Sequence, residues 1–410
     1  MKYTIINAYG RSNRGDSVLL DECIDEIQKF DKKANIACAL FHGLDDAFKV
    51  YPNICWSERI GNRSKSNFMG RIKSILYIVA SYIGCFKCLG VLHKLLPKNQ
   101  QLTITSIKNS DVVISCPGGY IHDTNYAYLL AIFQVVIAQR LRKKVILAPQ
   151  SYGPINSLFG KLLIGCVIRR CDAVCTRELY SHEFIIEQLG IPKNKVFRCG
   201  DSALWNYQKN NELPVLDGEL YEIINKDNIL GITVVGWNFP NTENPKYLYD
   251  RYTTALSEIV DNVCTKLGLI PVIYNQVDGD IDTALIVKSK CRTHVFVDQI
   301  SREPEYLRPM IARSTVFLGT RFHSCIFAMM ANVPTVAISY LPKTTYILKD
   351  LNLPDRSTDI CDIDVELIIK KIEMDYNNLD KSKAELSHAI YLYQSKYLRL
   401  SDVLNISLEQ

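Results

Sequence analysis

The chain has 410 residues, a hydrophobic fraction of 48% and a charged fraction of 22%, values that are typical of a globular protein and exclude a disordered one. A chain of this length exceeds one ordinary hydrophobic core, so we predict two domains. The formal net charge is +5, but the basic residues are concentrated in one segment where they alternate with aliphatic side chains. Nucleic-acid surfaces combine cations with stacking aromatic residues, so this pattern argues against a nucleic-acid partner.

Cysteine usage and the N-terminus indicate the compartment. Several of the 14 cysteines lie inside apolar stretches, namely Cys23, Cys38, Cys166, Cys264 and Cys325. The N-terminal residues MKYTIINAYG resemble a first strand and lack the apolar run and cleavage site of a signal peptide. We therefore predict reduced, buried thiols in a cytoplasmic protein. Cys85 and Cys88 form a CxxC pair without a second pair at zinc spacing, so we expect no metal and no redox cofactor.

Strands and helices alternate along the chain, which predicts parallel sheets with crossover helices. In the first half the predicted strands are KYTIINA, NIACALF, SDVVIS, KVILAPQ and CDAVCT. Residues 206–227 are polar and are interpreted as a linker. The alternation then resumes with NILGITVVGW, a helix over about 246–268, and the strands LIPVIYN, HVFV, STVFLG and TVAISY.

This order of elements predicts two doubly wound α/β domains. We assign them to residues 1–205 and 228–355, followed by a helical tail over 356–410. Such sheets bind ligands at the carboxyl ends of their strands, so we expect the two domains to face each other across a ligand-binding cleft.

The segment 59–110 is a strongly basic insert in the first domain. It contains nine cations and no Asp or Glu, so its charge is +9 and that of the remaining chain is −4. The cations are Arg59, Arg63, Lys65, Arg71, Lys73, Lys87, Lys94, Lys98 and Lys108. Residues 74–96 are apolar enough to consider a bilayer span, but Lys87 near the middle argues against one. A helical pair lying in the interface of an anionic inner-leaflet membrane fits better; a buried core helix with a solvated basic flank is the alternative.

The stretch LGTRFHSCIFA, residues 318–328, joins an apolar strand to an apolar helix. The first turn of a helix leaves backbone N–H groups unpaired at the positive end of the dipole, which suits an anion. Arg321 adds a bidentate fork for carboxylate or phosphate, and His323 adds a side chain that changes charge near neutral pH. A buried histidine beside a surface arginine is the alternative interpretation.

The loop TRELYS supplies another cation. We place Arg177 in the first helical turn and Ser181 one turn later on the same face. A cation at a helix N-terminus opposes the dipole unless an anion or an acidic partner compensates. Lys343, after the strand TVAISY, is a third cation. We predict that Arg177, Arg321 and Lys343 converge on one small, multiply charged anion.

Two glycine-containing loops complete the set of predicted ligand contacts. In NRGDS, Gly15 allows close approach of a ligand to the backbone, and Asn13 is a further predicted contact to the acceptor. Asp16 either accepts sugar hydroxyls or simply caps the following helix. In CPGGY, Gly118 and Gly119 look like a ligand-facing turn but match no Walker or dinucleotide pattern.

Six motifs in order resemble the polysaccharide pyruvyltransferase family: NRGD, DVVISCPGG, LAPQSYGP, CDAVCTRELYS with EQLGI, CGDSAL, and GTRFHSCIFAMMANVPTVAISYLPK. The resemblance covers nearly all of residues 1–355, with CPGG where the family usually has three glycines. It implies a glycosyltransferase-B-like pair of Rossmann-like domains and transfer of a pyruvyl group from phosphoenolpyruvate to a saccharide as a cyclic ketal. By match, Arg321 and His323 correspond to the family's donor-site arginine and histidine, and Arg177 to the arginine of its R-E/D-x-x-S motif.

This resemblance implies a cofactor-free enzyme of bacterial surface polysaccharide biosynthesis. Its donor would be phosphoenolpyruvate, bound by Arg321, Arg177, Lys343 and Ser181, with His323 as the acid–base group. The acceptor is expected to be a saccharide on a polyprenyl diphosphate lipid, which the basic insert would reach from the cytoplasmic face of the membrane. Two alternatives remain open at this point: a nucleotide-sugar glycosyltransferase of the same fold, and a non-catalytic, membrane-associated saccharide-binding protein.

Overall fold

The computed structural model describes residues 1–11, 13–62, 68–86, 88–123, 127–205, 213, 218–226, 228–240 and 242–408. The chain forms two compact units. Unit 1 comprises Met1–Ser12, Asp16–Ser202 and Tyr397–Gln410, and unit 2 comprises Asn13–Gly15 and Ala203–Lys396. Most of the predicted linker, 206–227, lies outside the described residues, as do Arg63, Lys65 and Lys87 of the basic insert.

The described part of unit 1 contains an eight-stranded sheet with the order β3-β2-β1-β4-β6-β7-β8, and β5 pairs with β6. All of these pairs are parallel, as the alternation of elements predicts. The strands are β1 Lys2–Ala8, β2 Asn35–Leu40, β3 Cys55–Glu58, β4 Val112–Ser115, β5 Gly118–Ile121, β6 Lys144–Tyr152, β7 Ala173–Thr176 and β8 Val196–Arg198.

Two helical layers cover this sheet, because its strands are apolar on both faces. The helices are α1 Arg14–Phe30, α2 Leu44–Val50, α3 Phe68–Ile83, α4 Lys98–Asn109, α5 Ala127–Arg140, α6 Leu158–Ile168 and α7 Leu179–Glu183. Short turns are the 3-10 helices Gly90–Leu95, Lys193–Lys195 and Ser202–Leu204, and the π-helical turn Phe184–Gln188. Buried side chains of α3, α4, α5 and α6 form one core with the sheet, and those of α1 and α2 form another.

Unit 2 contains a parallel sheet with the order β11-β10-β9-β12-β13-β14 in its described residues. Its strands are β9 Ile229–Thr233, β10 Ile270–Ile273, β11 Phe296–Val297, β12 Val316–Gly319, β13 Thr335–Ser339 and β14 Ser357–Asp359. The strand order reverses between β9 and β12. That reversal is the topological switch point at which doubly wound sheets bind ligands.

The helices of unit 2 are α8 Glu219–Ile224, α9 Pro245–Leu267, α10 Ile281–Lys290, α11 Pro304–Ile311, α12 Phe322–Met330, α13 Pro342–Asp350, α14 Val365–Asn377 and α15 Leu379–Lys396, with 3-10 turns at Asp278–Asp280 and Pro354–Arg356. Helix α9 agrees with the predicted helix over about 246–268. The predicted helical tail, 356–410, also contains strand β14, and its final helix, α16 Leu400–Leu408, packs into the core of unit 1 through Leu400, Val403 and Leu404.

Candidate functional site

The loop after β12 carries the predicted anion site of unit 2. Strand β12 ends at Gly319, the Thr320 amide donates to the Thr233 carbonyl at the end of β9 (2.9 Å), and Arg321 is the N-cap of α12. His323 lies in the first turn of this helix. The predicted change from strand to helix at this point is therefore confirmed, and it lies at the switch point of the sheet.

A buried polar network holds this loop in place. The Tyr252 hydroxyl donates to the Thr320 hydroxyl (3.1 Å) and accepts from the Val235 amide (3.1 Å). The Ser324 hydroxyl donates to the Arg321 carbonyl (2.8 Å) and lies 2.7 Å from the Thr233 hydroxyl. Because buried polar groups are costly unless paired, these bonds stabilise one arrangement of the loop.

The guanidinium of Arg321 is oriented by a bidentate ion pair with Asp280. Its Nε donates to Oδ2 (2.7 Å) and its Nη2 to Oδ1 (2.6 Å), and the Gly236 amide also donates to Oδ1 (2.9 Å). The exposed fractions of the two side chains are 17% and 4%. Burial opposes the charged form, but the bonds to Asp280 and the neighbouring Tyr340 raise the pKa of Arg321, so this side chain remains a cation.

Aromatic rings lie near Arg321 and Lys343, the two cations at this edge of the sheet. The Tyr340 ring, which follows β13, lies 5.9 Å from Arg321 Cζ and contacts Trp237 edge-on at a ring distance of 5.0 Å. Lys343, in the first turn of α13, places Nζ 5.2 Å from the centre of the Phe322 ring. The carboxyl ends of the neighbouring strands β12 and β13 therefore bring Arg321 and Lys343 to the same edge of the sheet. The convergence of these two cations with Arg177 on one anion stays a prediction.

His323 is 5% exposed and packs against Gly15, which also belongs to unit 2. A Cβ atom at Gly15 would lie 1.9 Å from Nδ1 of the imidazole. The Gly15 amide donates to Asn13 Oδ1 (3.1 Å), and Gln276 Nε2 donates to the same oxygen (3.3 Å). Close approach to the backbone at Gly15 was predicted, but the group that makes it is this histidine.

The residues around Arg177 form a buried ionic cluster within unit 1. Arg177 is 1% exposed; its Nη1 lies 3.2 Å from Asp201 Oδ2 and its Nε 3.4 Å from Glu178 Oε2. Its Nη2 donates to the Ser151 hydroxyl. The Ser181 hydroxyl donates to Glu178 and accepts from the Tyr152 amide (2.7 Å). Burial raises the pKa of Glu178, and Arg177 and the two serines oppose that shift.

Comparisons with known proteins identify the family of this chain. The family model for polysaccharide pyruvyl transferases matches residues 13–342, which is more than half of the chain. The chain belongs to the polysaccharide pyruvyl transferase family. The enzyme is also similar to amylovoran biosynthesis protein AmsJ of Erwinia amylovora, with 24% identity over 416 aligned positions and 95% of each chain covered.

Solved structures show that the fold of this pyruvyl transferase is of the glycosyltransferase-B type. UDP-GlcNAc 2-epimerase of Neisseria meningitidis has a TM-score of 0.64 at 12% identity, with 100% of both chains covered. A glycosyltransferase of Rickettsia africae has a TM-score of 0.60 at 12% identity, with 100% of this chain and 98% of that chain covered. Identities this low establish the two-unit α/β fold alone, and the cleft between the domains stays a prediction.

The environment of Arg177 differs from the sequence-based prediction in one respect. Helix α7 begins at Leu179, so Arg177 precedes the helix instead of lying in its first turn. The acidic partners that would compensate the cation are present, as Glu178 and Asp201. The donor-binding roles of Arg177 and Ser181 stay predictions, since both side chains contact protein groups within unit 1.

The prediction of a glycine turn in CPGGY is wrong. Gly118 and Gly119 belong to strand β5, which pairs with β6. The Tyr120 hydroxyl fixes this strand by donating to the Cys116 carbonyl (2.6 Å) and accepting from Gln150 Nε2 (2.9 Å). A Cβ atom at Gly118 would lie 2.8 Å from the Tyr120 ring, and one at Gly119 would lie 3.5 Å from Arg177 Nη2. Glycine is thus needed at 118 for packing, and Gly119 is exposed beside the Arg177 cluster.

Asp16 and the cysteines complete the predicted residues. Asp16 lies half-buried in the first turn of α1, where a carboxylate is favourable.

All 14 cysteines are free thiols. Cys23, Cys38, Cys264 and Cys325 are buried as predicted, but Cys166 is exposed on α6, because it lies on the outer face of that helix. Among the described residues, no group of three or more potential ligands is placed to hold a metal ion.

Asp280 is the residue of this candidate site that sequence reasoning missed. It stands in the 3-10 turn Asp278–Asp280, between β10 and α10. A signal was present, because DGDID follows the predicted strand LIPVIYN, whose carboxyl end lies at the same edge of the sheet as that of STVFLG. The sequence gives no indication which of its acidic residues faces Arg321.

Proposed function

We propose that the enzyme transfers a pyruvyl group from phosphoenolpyruvate to two hydroxyls of a saccharide, as a cyclic ketal, during the synthesis of a bacterial surface polysaccharide. The observation that carries the proposal is the Arg321–Asp280 pair at the N-terminus of α12, with His323 and Lys343 at the same edge. Phosphoenolpyruvate is a small anion with a carboxylate and a phosphate. The Asp280 pair uses Nε and Nη2 of Arg321, and Nη1, which lies outside this pair, is the atom proposed to bind one anionic group.

In the proposed reaction, His323 as an imidazolium protonates the methylene carbon of phosphoenolpyruvate. That carbon becomes a methyl group, and the neighbouring carbon becomes an oxocarbenium-like centre. One sugar hydroxyl adds to this centre, and its proton returns to His323. The bond to phosphate oxygen then breaks, a second hydroxyl adds, and its proton leaves with the phosphate. The products are the ketal and inorganic phosphate, so the atoms balance without an oxidant or a cofactor.

The proposed acceptor is a saccharide carried by a polyprenyl diphosphate at the cytoplasmic face of the membrane. Support comes from the similarity to an amylovoran biosynthesis protein, which links the family to polysaccharide synthesis. Arg177, Ser181, Gly119 and Asp16 are proposed as further contacts to donor or acceptor.

Calorimetric titration of phosphoenolpyruvate tests the donor. We expect saturable binding to the wild type and a loss of roughly 10- to 100-fold in Arg321→Ala, the range for a lost hydrogen bond to a charged group. Arg313→Ala is the matched control, because Arg313 is exposed just before β12, at the opposite end of that strand from Arg321. The same titrations are made with a panel of nucleotide sugars. Binding of a nucleotide sugar with no heat from phosphoenolpyruvate would overturn the proposal in favour of a glycosyltransferase.

A further inference from the structure

The outer face of α3 is an exposed apolar surface. Its side chains recur at helical spacing, so they form one stripe along the helix. The exposed members are Phe68 (75%), Met69 (58%), Ile72 (36%), Ile75 (60%), Leu76 (58%), Val79 (46%) and Tyr82 (39%). The opposite side of the helix packs on unit 1, where Gly70, Ser74 and Ala80 are buried. A contiguous exposed surface of this kind marks an interaction site.

Helices α5 and α6 extend the same surface. Both α3 and α6 contact α5, and all three pack on the same core of unit 1. At the start of α6, Leu158, Phe159 and Leu162 are 79%, 67% and 70% exposed. Partly buried Leu129, Phe133 and Val136 of α5 also belong to this layer. We call the outer faces of α3, α5 and α6 the three-helix apolar surface.

The charges on these helices have one sign. The sequences of α3, α5 and α6 contain no Asp or Glu. They contain four cations, namely Arg71, Lys73, Arg140 and Lys161, and Lys94 and Lys98 follow exposed in the next elements. We propose that the three-helix apolar surface docks the enzyme on a lipid bilayer that contains anionic headgroups. Apolar side chains would enter the interface, and the cations would contact the headgroups.

The length of α3 favours docking on a bilayer over crossing it. The helix has 16 residues and is about 24 Å long, which is shorter than a hydrocarbon core of about 30 Å. Among the described residues, no helix is both long and apolar enough to cross a membrane. The sequence analysis predicted a helical pair of the basic insert in the interface; the surface proposed here has three helices, and two of them, α5 and α6, lie outside that insert.

The charge pattern also favours lipid over a second copy of this chain. A symmetric dimer would bring the same patch of two subunits together, and these helices offer no carboxylate to pair with the facing cations. Like charges at an interface disfavour association. An anionic bilayer complements the cations and the apolar side chains at once.

Docking would also bring the enzyme to a lipid-linked acceptor, a consequence that rests on the proposed function. Asp123 accepts the Asn156 and Ser157 amides at 2.8 Å each, so the exposed start of α6 is tied to the segment that follows β5. The apolar surface thus adjoins the carboxyl edge of the unit 1 sheet, where Gly119 is exposed.

Co-sedimentation with vesicles tests the proposal without donor or acceptor, so its failure is distinguishable from failure of the proposed function. We expect the wild type to bind vesicles of mixed phosphatidylglycerol and phosphatidylcholine, and to bind pure phosphatidylcholine far less. Leu76→Glu with Leu162→Glu should reduce binding by at least about tenfold, because each leucine contributes burial free energy. Arg71→Glu with Lys73→Glu should also reduce it by at least about tenfold.

Leu367→Glu is the matched control, since Leu367 is 45% exposed on α14 of unit 2; its binding should equal that of the wild type. Circular dichroism should show that every variant folds. Equal binding of wild type and the two double variants would overturn the proposal. A dimer in solution that becomes monomeric in Leu76→Glu with Leu162→Glu, together with no vesicle binding by the wild type, would assign the surface to self-association and also overturn it.

Discussion

Arg321 and Asp280 form a two-point ion pair, 41 residues apart in sequence, at the carboxyl edge of the unit 2 sheet. The pair is nearly buried, and the Gly236 amide also donates to Oδ1 of Asp280. An arginine held in this way presents its charge in a fixed orientation, which reduces the entropy lost when a donor anion binds. In the proposed function, Asp280 is therefore a positioning residue that acts through Arg321.

Replacing Asp280 by Asn should destabilise unit 2. The change leaves the Arg321 cation in a largely buried position without its counterion, and breaking such a pair costs about 3 kcal/mol or more. Thermal unfolding of the variant should begin at a lower temperature, and its affinity for phosphoenolpyruvate should fall. Asp282→Asn is the control, because Asp282 is exposed in the first turn of α10. If Asp280→Asn unfolded at the same temperature as the wild type, Asp280 would not stabilise unit 2 through its pair with Arg321.

Gly15→Ala should displace the imidazole of His323. A Cβ atom at this position would lie 1.9 Å from Nδ1 and 2.4 Å from Cγ of the ring, so the ring or the backbone must move. Overpacking of this kind costs about 1–3 kcal/mol, and we expect turnover to fall more than donor affinity.

Gly279→Ala provides the control for this change. Its added Cβ would meet no heavy atom within 4 Å, so stability and turnover should stay close to those of the wild type. Unaltered turnover in Gly15→Ala would contradict the inference that the position of His323 matters for the reaction.

The sequence predicted those parts of the site that depend on local pattern. The apolar strand and the apolar helix on either side of Arg321 determine the change from strand to helix at this loop, and that change is as predicted. The pair with Asp280 was not predictable, because it depends on which side chains two separate crossovers bring to one edge. Gly118 and Gly119 lie in a strand because pairing with β6 and the Tyr120 hydrogen bonds outweigh the turn preference of glycine.

Burial was equally hard to infer from residue type. Arg177 was predicted as a ligand-facing cation, yet its guanidinium is enclosed with Glu178, Asp201 and Ser151. Two of these partners are distant in sequence. By contrast, the charge of the insert was evident from composition, but the addition of α5 and α6 to its apolar surface requires the packing order of α3, α5 and α6.

Glu178 should make the stability of the enzyme fall as the pH rises. Burial raises its pKa in the folded state, so between the ordinary carboxyl pKa and the raised one the folded protein binds more protons than the unfolded chain. The free energy of unfolding therefore decreases with increasing pH through that window. Above the window the buried carboxylate is fully ionised, and the loss of stability is complete. Urea unfolding from about pH 4.5 to pH 8 should show the wild type losing stability relative to Glu178→Gln. A difference between the two that does not change with pH would contradict the raised pKa.

His323→Gln should abolish the chemical step without abolishing donor binding. Glutamine is of similar size but cannot transfer a proton, and general acid–base catalysis contributes typically 10²–10⁴-fold; we therefore expect the single-turnover rate of ketal formation to fall by about this factor. Calorimetry should give a phosphoenolpyruvate affinity within about threefold of the wild type, because Arg321 and Lys343 are unchanged. His122→Gln, in the partly buried segment after β5, is the matched variant. If His122→Gln lost the single-turnover rate and His323→Gln kept it, the proton would be handled in unit 1, and His323 would be assigned to packing against Gly15.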